Sequence, residues 1–462
     1  MRRTFWLVSG DVALCVDVGS TFTKACAVEL PTGRLLGTAE HPTTIEAGAA
    51  GREPAETLGW GQSDVMAGIS ALRSALASVS PHAEMLVCSS AGGGLRLAVV
   101  GYEREISAEA GHRAALSAGA RVVHVSAGRL DEAGIRALVE AAADVVLLVG
   151  GTDGGESSVL LHNAGVLALT GLGVPVVVAG NMQVRQEVCA LLFSGGVTAV
   201  PAVNVLPDIG ELQPESARAA IRGVFLEHVI GGKGLSADPA FAAMVRAVTP
   251  DAVLSGVSVL AEQIRSVPGR VAPGSVVVVD VGGATTDVYC VLSPDAEQAM
   301  LGREAVGVPT HRRTVEGDLG LRWTADALLA ASASERLVTA GEAESLAAWA
   351  GVRPEIVGPP ESSLDWANEL RLAGLAVTIA IRRHVRAESA YGVIDTAGAS
   401  ARSASTVTLS GGAIRHASAD ERAALVASVL DDRGGARSVL LGADVRCDSH
   451  YVLAAAGPPG RC

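Results

Sequence analysis

Three absences narrow this chain before any motif is read. Its seven cysteines, Cys15, Cys26, Cys88, Cys189, Cys290, Cys447 and Cys462, include no C-x-x-C pair. An odd, scattered set indicates no disulfide framework and no zinc or iron–sulfur site, and points to a reducing cytoplasm. No stretch reaches the roughly 18 uninterrupted apolar residues of a membrane helix; the best candidate, Val166 to Gly180, is broken by Thr170, Pro175 and glycines. The apolar start behind Arg2 and Arg3 is too short for a signal peptide, so export is not expected. Basic charge is also scarce: 36 Lys and Arg against 49 Asp and Glu leave a net charge of -13. That balance argues against nucleic acid. It also means that a polyphosphate must be held by local devices, namely backbone N–H groups, a lysine and a divalent cation.

What is present is a long, apolar, small-residue chain. Its 462 residues suggest two to four domains, and 49% hydrophobic content with 54 glycines and only 3% aromatics reads as tightly packed α/β layers. The pattern predicts a strand meander at Val12 to Val18, Phe22 to Leu30 and Leu35 to Glu40, a helix at Asp64 to Ser78, and a buried strand at Met85 to Cys88. From Arg121 to about Pro207 strands and helices alternate, as in an inserted Rossmann-like parallel module. A second meander begins near Val276. The expected organisation is a first lobe over 8–120, the module over 121–207, a helical connector over 208–270, a second lobe from 271–317, a helical subdomain over 318–400, and a return to the second lobe over 401–462.

Two strand-ending turns open on aspartate. At Asp17-Val18-Gly19-Ser20-Thr21, small residues let backbone N–H groups approach phosphate oxygens, the hydroxyls of Ser20 and Thr21 add donors, and Lys24 supplies charge. At Asp280-Val281-Gly282-Gly283-Ala284-Thr285 paired glycines permit the same approach. Asp17 and Asp280 would face a shared Mg2+ through its waters, because that ion dehydrates reluctantly. Either turn alone also fits a plain hairpin. A third segment, Ser410-Gly411-Gly412-Ala413, suits an adenosine clamp and equally a helix N-cap at Ser410.

In this order these segments resemble the phosphate 1, phosphate 2 and adenosine motifs of the actin/Hsp70/hexokinase superfamily. The resemblance implies an α/β, two-lobed actin-like ATPase fold of duplicated ribonuclease H-like domains, binding ATP and Mg2+. Cys88-Ser89-Ser90-Ala91 and Ile106-Ser107-Ala108-Glu109-Ala110 are similar to strand-end and catalytic-glutamate segments of its exopolyphosphatase branch. That match implies that Glu109 orients an attacking water; a surface acid at a helix start is the competing reading. Tyr451 to Gly457 looks like the small-residue interdomain helix called connect 2.

Longer strings are more specific. Ser89 to Arg96, Leu148-Val149-Gly150-Gly151-Thr152-Asp153-Gly154-Gly155, Val279 to Val288 and Arg313-Thr314-Val315-Glu316-Gly317-Asp318-Leu319-Gly320 together resemble the glutamate mutase accessory family GlmL, also called MutL, along nearly the whole chain. The resemblance implies a reactivating ATPase, a chaperone whose partners are adenosylcobalamin-dependent aminomutase subunits. Without a D-x-H-x-x-G signature the chain is not expected to hold cobalamin itself. The Gly150 to Gly155 turn suits partner binding or simply a tight turn before a helix capped by Asp153. Glu316 and Asp318 suit nucleotide contact or a helix cap. A small-molecule ATP-dependent hydrolase or kinase of the same fold, and an actin-like scaffold, are the alternatives.

Overall fold

A computed structural model describes residues 11–44, 64–90, 95–103, 106–118, 120–230, 235–236, 238–265, 275–292, 311–351, 360, 362–390, 401–432 and 443–456. The chain opens as the alternation predicts, with an antiparallel meander of β1 (Val12–Val18), β2 (Phe22–Glu29) and β3 (Arg34–Pro42). Helix α1 (Val65–Ala75) starts where Asp64 accepts a bond from the Met66 amide, and β4 (Glu84–Ser89) then pairs with β1 in parallel.

The next sheet is the inserted module, and it begins earlier than the 120/121 boundary expected from sequence. Strand β5 (Arg96–Gly101) is paired on one side with β6 (Arg121–Ala127) and on the other with β7 (Val145–Leu148). Leu97, Ala98, Val99 and Val100 are completely buried, as befits an inner strand of a parallel sheet. Read alone, that short apolar run had no partner to assign it to. The sheet continues through β8 (Val176–Val178) and β9 (Ala199–Pro201), all parallel, in the order β6-β5-β7-β8-β9. Helices α2 (Ser107–Ser117), α3 (Glu132–Glu140), α4 (Ser158–Thr170) and α5 (Arg185–Ser194) lie between the strands. Helix α4 could be expected only as the helix after the Gly150 to Gly155 turn, because it is apolar on nearly every face, without the periodic pattern that marks a surface helix.

After α6 (Glu215–Val224) and α7 (Pro239–Met244), β10 (Val245–Val248) returns to the free side of β4. The stretch expected as a helical connector therefore supplies the first lobe with its fifth strand before α8 (Thr249–Arg265) leaves it. The first sheet runs β10-β4-β1-β2-β3.

The second lobe repeats that plan. Strands β11 (Val276–Val281), β12 (Thr286–Val291) and β13 (His311–Glu316) form the meander, and β14 (Thr406–Gly411) and β15 (Asp444–Cys447) add in parallel, giving β13-β12-β11-β14-β15. The same order and strand sense in both sheets is the ribonuclease H-like arrangement, present twice. Along β11 the side chains alternate: Val277 and Val279 join the core formed with α9 (Ala325–Ser334), α10 (Ala340–Gly351) and α11 (Ser363–Ala390). Val276 and Val278 face α8 instead. A strand covered on both faces needs no polar alternation, which explains the run of valines. Short α12 (Gly412–His416) and longer α13 (Ala419–Leu430) follow β14, and α14 (Leu453–Ala456) ends the described chain.

The small-residue crossing expected at the C-terminus is present, with its key residue on the other helix. A Cβ on Gly256 of α8 would stand 2.0 Å from the Leu453 carbonyl oxygen of α14. The two segments cross there at backbone contact. No helix among the described residues is long and apolar enough to span a membrane.

Candidate functional site

The two aspartate turns are built alike and meet. In the first, the Gly19 amide donates to the Phe22 carbonyl at 3.1 Å; in the second, the Gly282 amide donates to Thr285 at 2.9 Å. A Cβ at either glycine would press to within 3 Å of that carbonyl, so each turn requires glycine. Both turns, with Gly411, Gly412 and Ala413 opposite, line one interlobe cleft of about 310 Å³. Its wall includes Asp17, Gly19, Ser20, Thr21, Lys24, Asp280, Gly282, Gly283, Ala284 and Thr285. The structure therefore brings together almost every expected nucleotide residue. Thr21 presents a buried hydroxyl with no hydrogen-bond partner at the meeting point of the two turns. A donor left open inside a polar cleft is suited to a ligand oxygen.

Two of the expected residues lie outside the cleft wall. Ser410 is buried at the end of β14, in register with Asp280, beneath the cleft and beside Asp448 and Tyr451. It is not a helix N-cap either, since Gly411 holds that position with φ 128°. Gly411 has its own constraint: a Cβ there would stand 2.2 Å from the Val281 carbonyl oxygen. Glu109 sits half-buried in the first turn of α2 and is not among the cleft residues. Of the strings that carried the family resemblance, 91–94 lie outside the described residues, as do the 231–234 turn and the end of the Tyr451 to Gly457 segment.

The electrostatics separate the cleft acids into two kinds. Glu40 pairs with Arg415 and His416, Asp287 with Arg313, and Glu369 with Arg322. Among the described residues, the side-chain donors to Asp17 and Asp280 are neutral. Thr249 and the Cys88 thiol bond to Asp17, and the Tyr451 hydroxyl donates to Asp280 at 3.2 Å. Burial is the largest influence on Asp280; with Asp287 and Asp17 adding to it against Lys24 and the Tyr451 bond, the carboxyl is lifted to about 6. A buried Asp17 that raises the cost of charge on Asp280 beside it fits a divalent cation between the two, with oxygen ligands of the kind Mg2+ takes. Lys24 is one of two lysines in the chain. It lies over the Tyr451 ring, 3.5 Å from its centroid.

Duplication explains where the two halves diverge. Lys24 stands opposite Asp17 in the β1–β2 register, and Asp287 stands opposite Asp280 in the β11–β12 register. One lobe presents a cation to the cleft, and the other an acid already held by Arg313 at 2.7 Å.

Several contributions escaped the sequence reading. Tyr451 was placed only at the head of the connect 2 segment, with nothing to signal its contacts with Asp280 and Lys24, and Thr249 comes from a helix start far along the chain. Gly320 had a signal, the Gly317-Asp318-Leu319-Gly320 string, whose role is packing: a Cβ there would meet Ala284 within 2.5 Å. Glu316 and Asp318 are both held by Arg383 and do not line the cleft. In the module, Asp153 caps no helix. It accepts from the Met182 amide and from Asn204, each at 2.9 Å, while Glu156 takes the first amides of α4.

The MutL protein family model matches residues 13–458. Protein MutL of Clostridium tetanomorphum is 35% identical over 383 residues, covering 81% of this chain and 79% of that protein. Among solved structures, the ethanolamine utilization protein EutJ of Carboxydothermus hydrogenoformans is 10% identical across 97% of this chain and 89% of its own, with a TM-score of 0.29. The activator of the 2-hydroxyisocaproyl-CoA dehydratase of Clostridium difficile is 10% identical across 97% and 92%, with a TM-score of 0.28.

Proposed function

This chain belongs to the MutL family, and on that premise we propose that it is an ATP-binding accessory protein that reactivates an adenosylcobalamin-dependent aminomutase such as glutamate mutase. The observation that carries the ATP reading is the meeting of the two glycine turns, Lys24, Asp17 and Asp280 in one interlobe cleft. Backbone amides of both turns with Lys24 would hold the phosphates. Asp17 and Asp280 would hold Mg2+ through its waters, and Gly411 to Ala413 would pack against the base. Bound Mg2+ would supply the charge that lets a polyphosphate sit between two carboxylates.

A nucleotide spanning both lobes ties their relative position to its occupancy. It can bias open and closed states only by its differential affinity for them, typically about 1–3 kcal/mol. The inserted module, which hangs from the first lobe between β4 and β10, is the natural surface to present to a mutase. Slow hydrolysis would reset the cycle. Asp17 and Glu109 remain the candidate catalytic acids, with Glu109 needing to reach the cleft by lobe movement.

The test is co-purification with a cobalamin mutase, followed by cobalamin exchange on the inactivated mutase with wild type and Asp17→Ala. Exchange that needs ATP and fails with Asp17→Ala supports the proposal. Equal exchange with the variant, or without ATP, sinks it.

A further inference from the structure

Away from the nucleotide cleft, the second lobe buries a set of side chains that hydrophobic packing alone does not explain. Cys290 on β12 and His384 and Glu388 on α11 are all buried, and one ligating atom from each lies within 4.8 Å of the other two. His384 and Glu388 are one helical turn apart, so α11 presents both on the same face toward β12. We propose that Cys290, His384 and Glu388 form a binding site for a zinc-type divalent cation in the core of the second lobe.

The geometry of His384 carries the argument. Its Nδ1 is 2.9 Å from the Thr314 hydroxyl, while its buried Nε2 makes no well-directed hydrogen bond and turns toward Cys290 and Glu388, 3.3 Å from Glu388 Oε1. A hydroxyl on one ring nitrogen fixes the ring and leaves the other for a metal, which is the usual outer support of a ligating histidine. A tetrahedral ion with bonds of about 2.0 to 2.3 Å spaces its ligands by roughly 3.3 to 3.8 Å, so only small shifts would close the triangle. Glu388 is oriented as well, by Arg312 at 2.7 Å and by the Ala401 amide at 3.0 Å.

Charge is consistent with one divalent ion. On binding, the Cys290 thiol loses its proton to solvent and forms the metal–sulfur bond, and the His384 imidazolium paired with Glu388 gives up its Nε2 proton to solvent as well, so the ion meets a thiolate, a carboxylate and a neutral imidazole. Arg312, which also approaches Cys290 Sγ at 3.4 Å, offsets one of the two anions. Three protein ligands leave a fourth position for water. A soft thiolate with an imidazole selects zinc or cobalt over magnesium, which separates this site from the all-oxygen pair Asp17 and Asp280.

The full-length protein should be produced in medium supplemented with zinc and, separately, with cobalt, because a buried site fills best during folding. Stoichiometric metal by mass spectrometry and a thiolate-to-cobalt charge-transfer band are expected. Both should disappear in Cys290→Ser and fall in His384→Gln, while Cys88→Ser, which removes the thiol beside Asp17, should leave them intact. Circular dichroism of each variant separates loss of the site from loss of the fold, and Glu388→Gln serves where Cys290→Ser does not fold. Wild type without bound metal and without the band overturns the proposal, as does metal retained in folded Cys290→Ser and His384→Gln.

Discussion

Tyr451 donates its hydroxyl to Asp280 at 3.2 Å while Lys24 of the first lobe rests over its ring. One side chain thus touches a charged residue beside each of the two glycine turns. The Tyr451 backbone is held at φ 55°, a left-handed conformation that a bulky residue adopts only under constraint from its surroundings. Replacing Tyr451 by Phe keeps the ring and removes the bond. Loss of about 1 kcal/mol of hydrogen bonding predicts roughly three- to tenfold weaker Mg-ATP binding by calorimetry. Unchanged affinity would show that this bond does not position Asp280 for the ligand.

In the proposed function Lys24 is the cation that meets the phosphates. Charge-assisted bonds are worth about 1.5–3 kcal/mol, so Lys24→Met should weaken ATP about 10- to 100-fold and adenosine hardly at all. A variant that binds both ligands equally less well would place the lysine's role in structure.

Two glycines should respond in opposite directions. Gly256 meets the Leu453 carbonyl at the helix crossing, whereas a Cβ on Gly223 of α6 meets nothing within 4 Å. Gly256→Val is expected to cost about 1–3 kcal/mol through overpacking. Gly223→Ala should gain about 0.5–1 kcal/mol from helix propensity. Thermal unfolding midpoints measure both, and equal midpoints would remove the claim that the crossing is tight.

His311, at the start of β13, is pushed down to about 4 by burial first and by Arg218 second. In the unfolded chain it takes up a proton near 6.5, so the unfolded state binds more protons between about 4 and 6.5. Its contribution is present above that window and lost as pH falls through it. Wild type should therefore lose stability relative to His311→Gln as pH drops from about 6.5 to about 4; a constant difference across that range would contradict this.

The local pattern alone determined the two glycine turns, their aspartates, Lys24 and the alternation of the meanders. Each depends on neighbours in sequence: small residues make a phosphate turn, and period two makes a strand. Family membership was also legible, because long strings such as Val279 to Val288 are held together by a single turn. What the tertiary structure decided depends on partners far apart in the chain. Strand β5 belongs to the module because it pairs with β6 and β7, and β10 belongs to the first lobe because it pairs with β4. Asp17 meets Thr249 and Cys88, Asp280 meets Tyr451, and Glu109 stands off the cleft. The scattered cysteines that indicated no metal site in sequence include Cys290, which only sheet-on-helix packing brings to His384 and Glu388. Sequence spacing records neighbours along the chain, whereas a site assembled from β12 and α11 exists only once the core between them has closed.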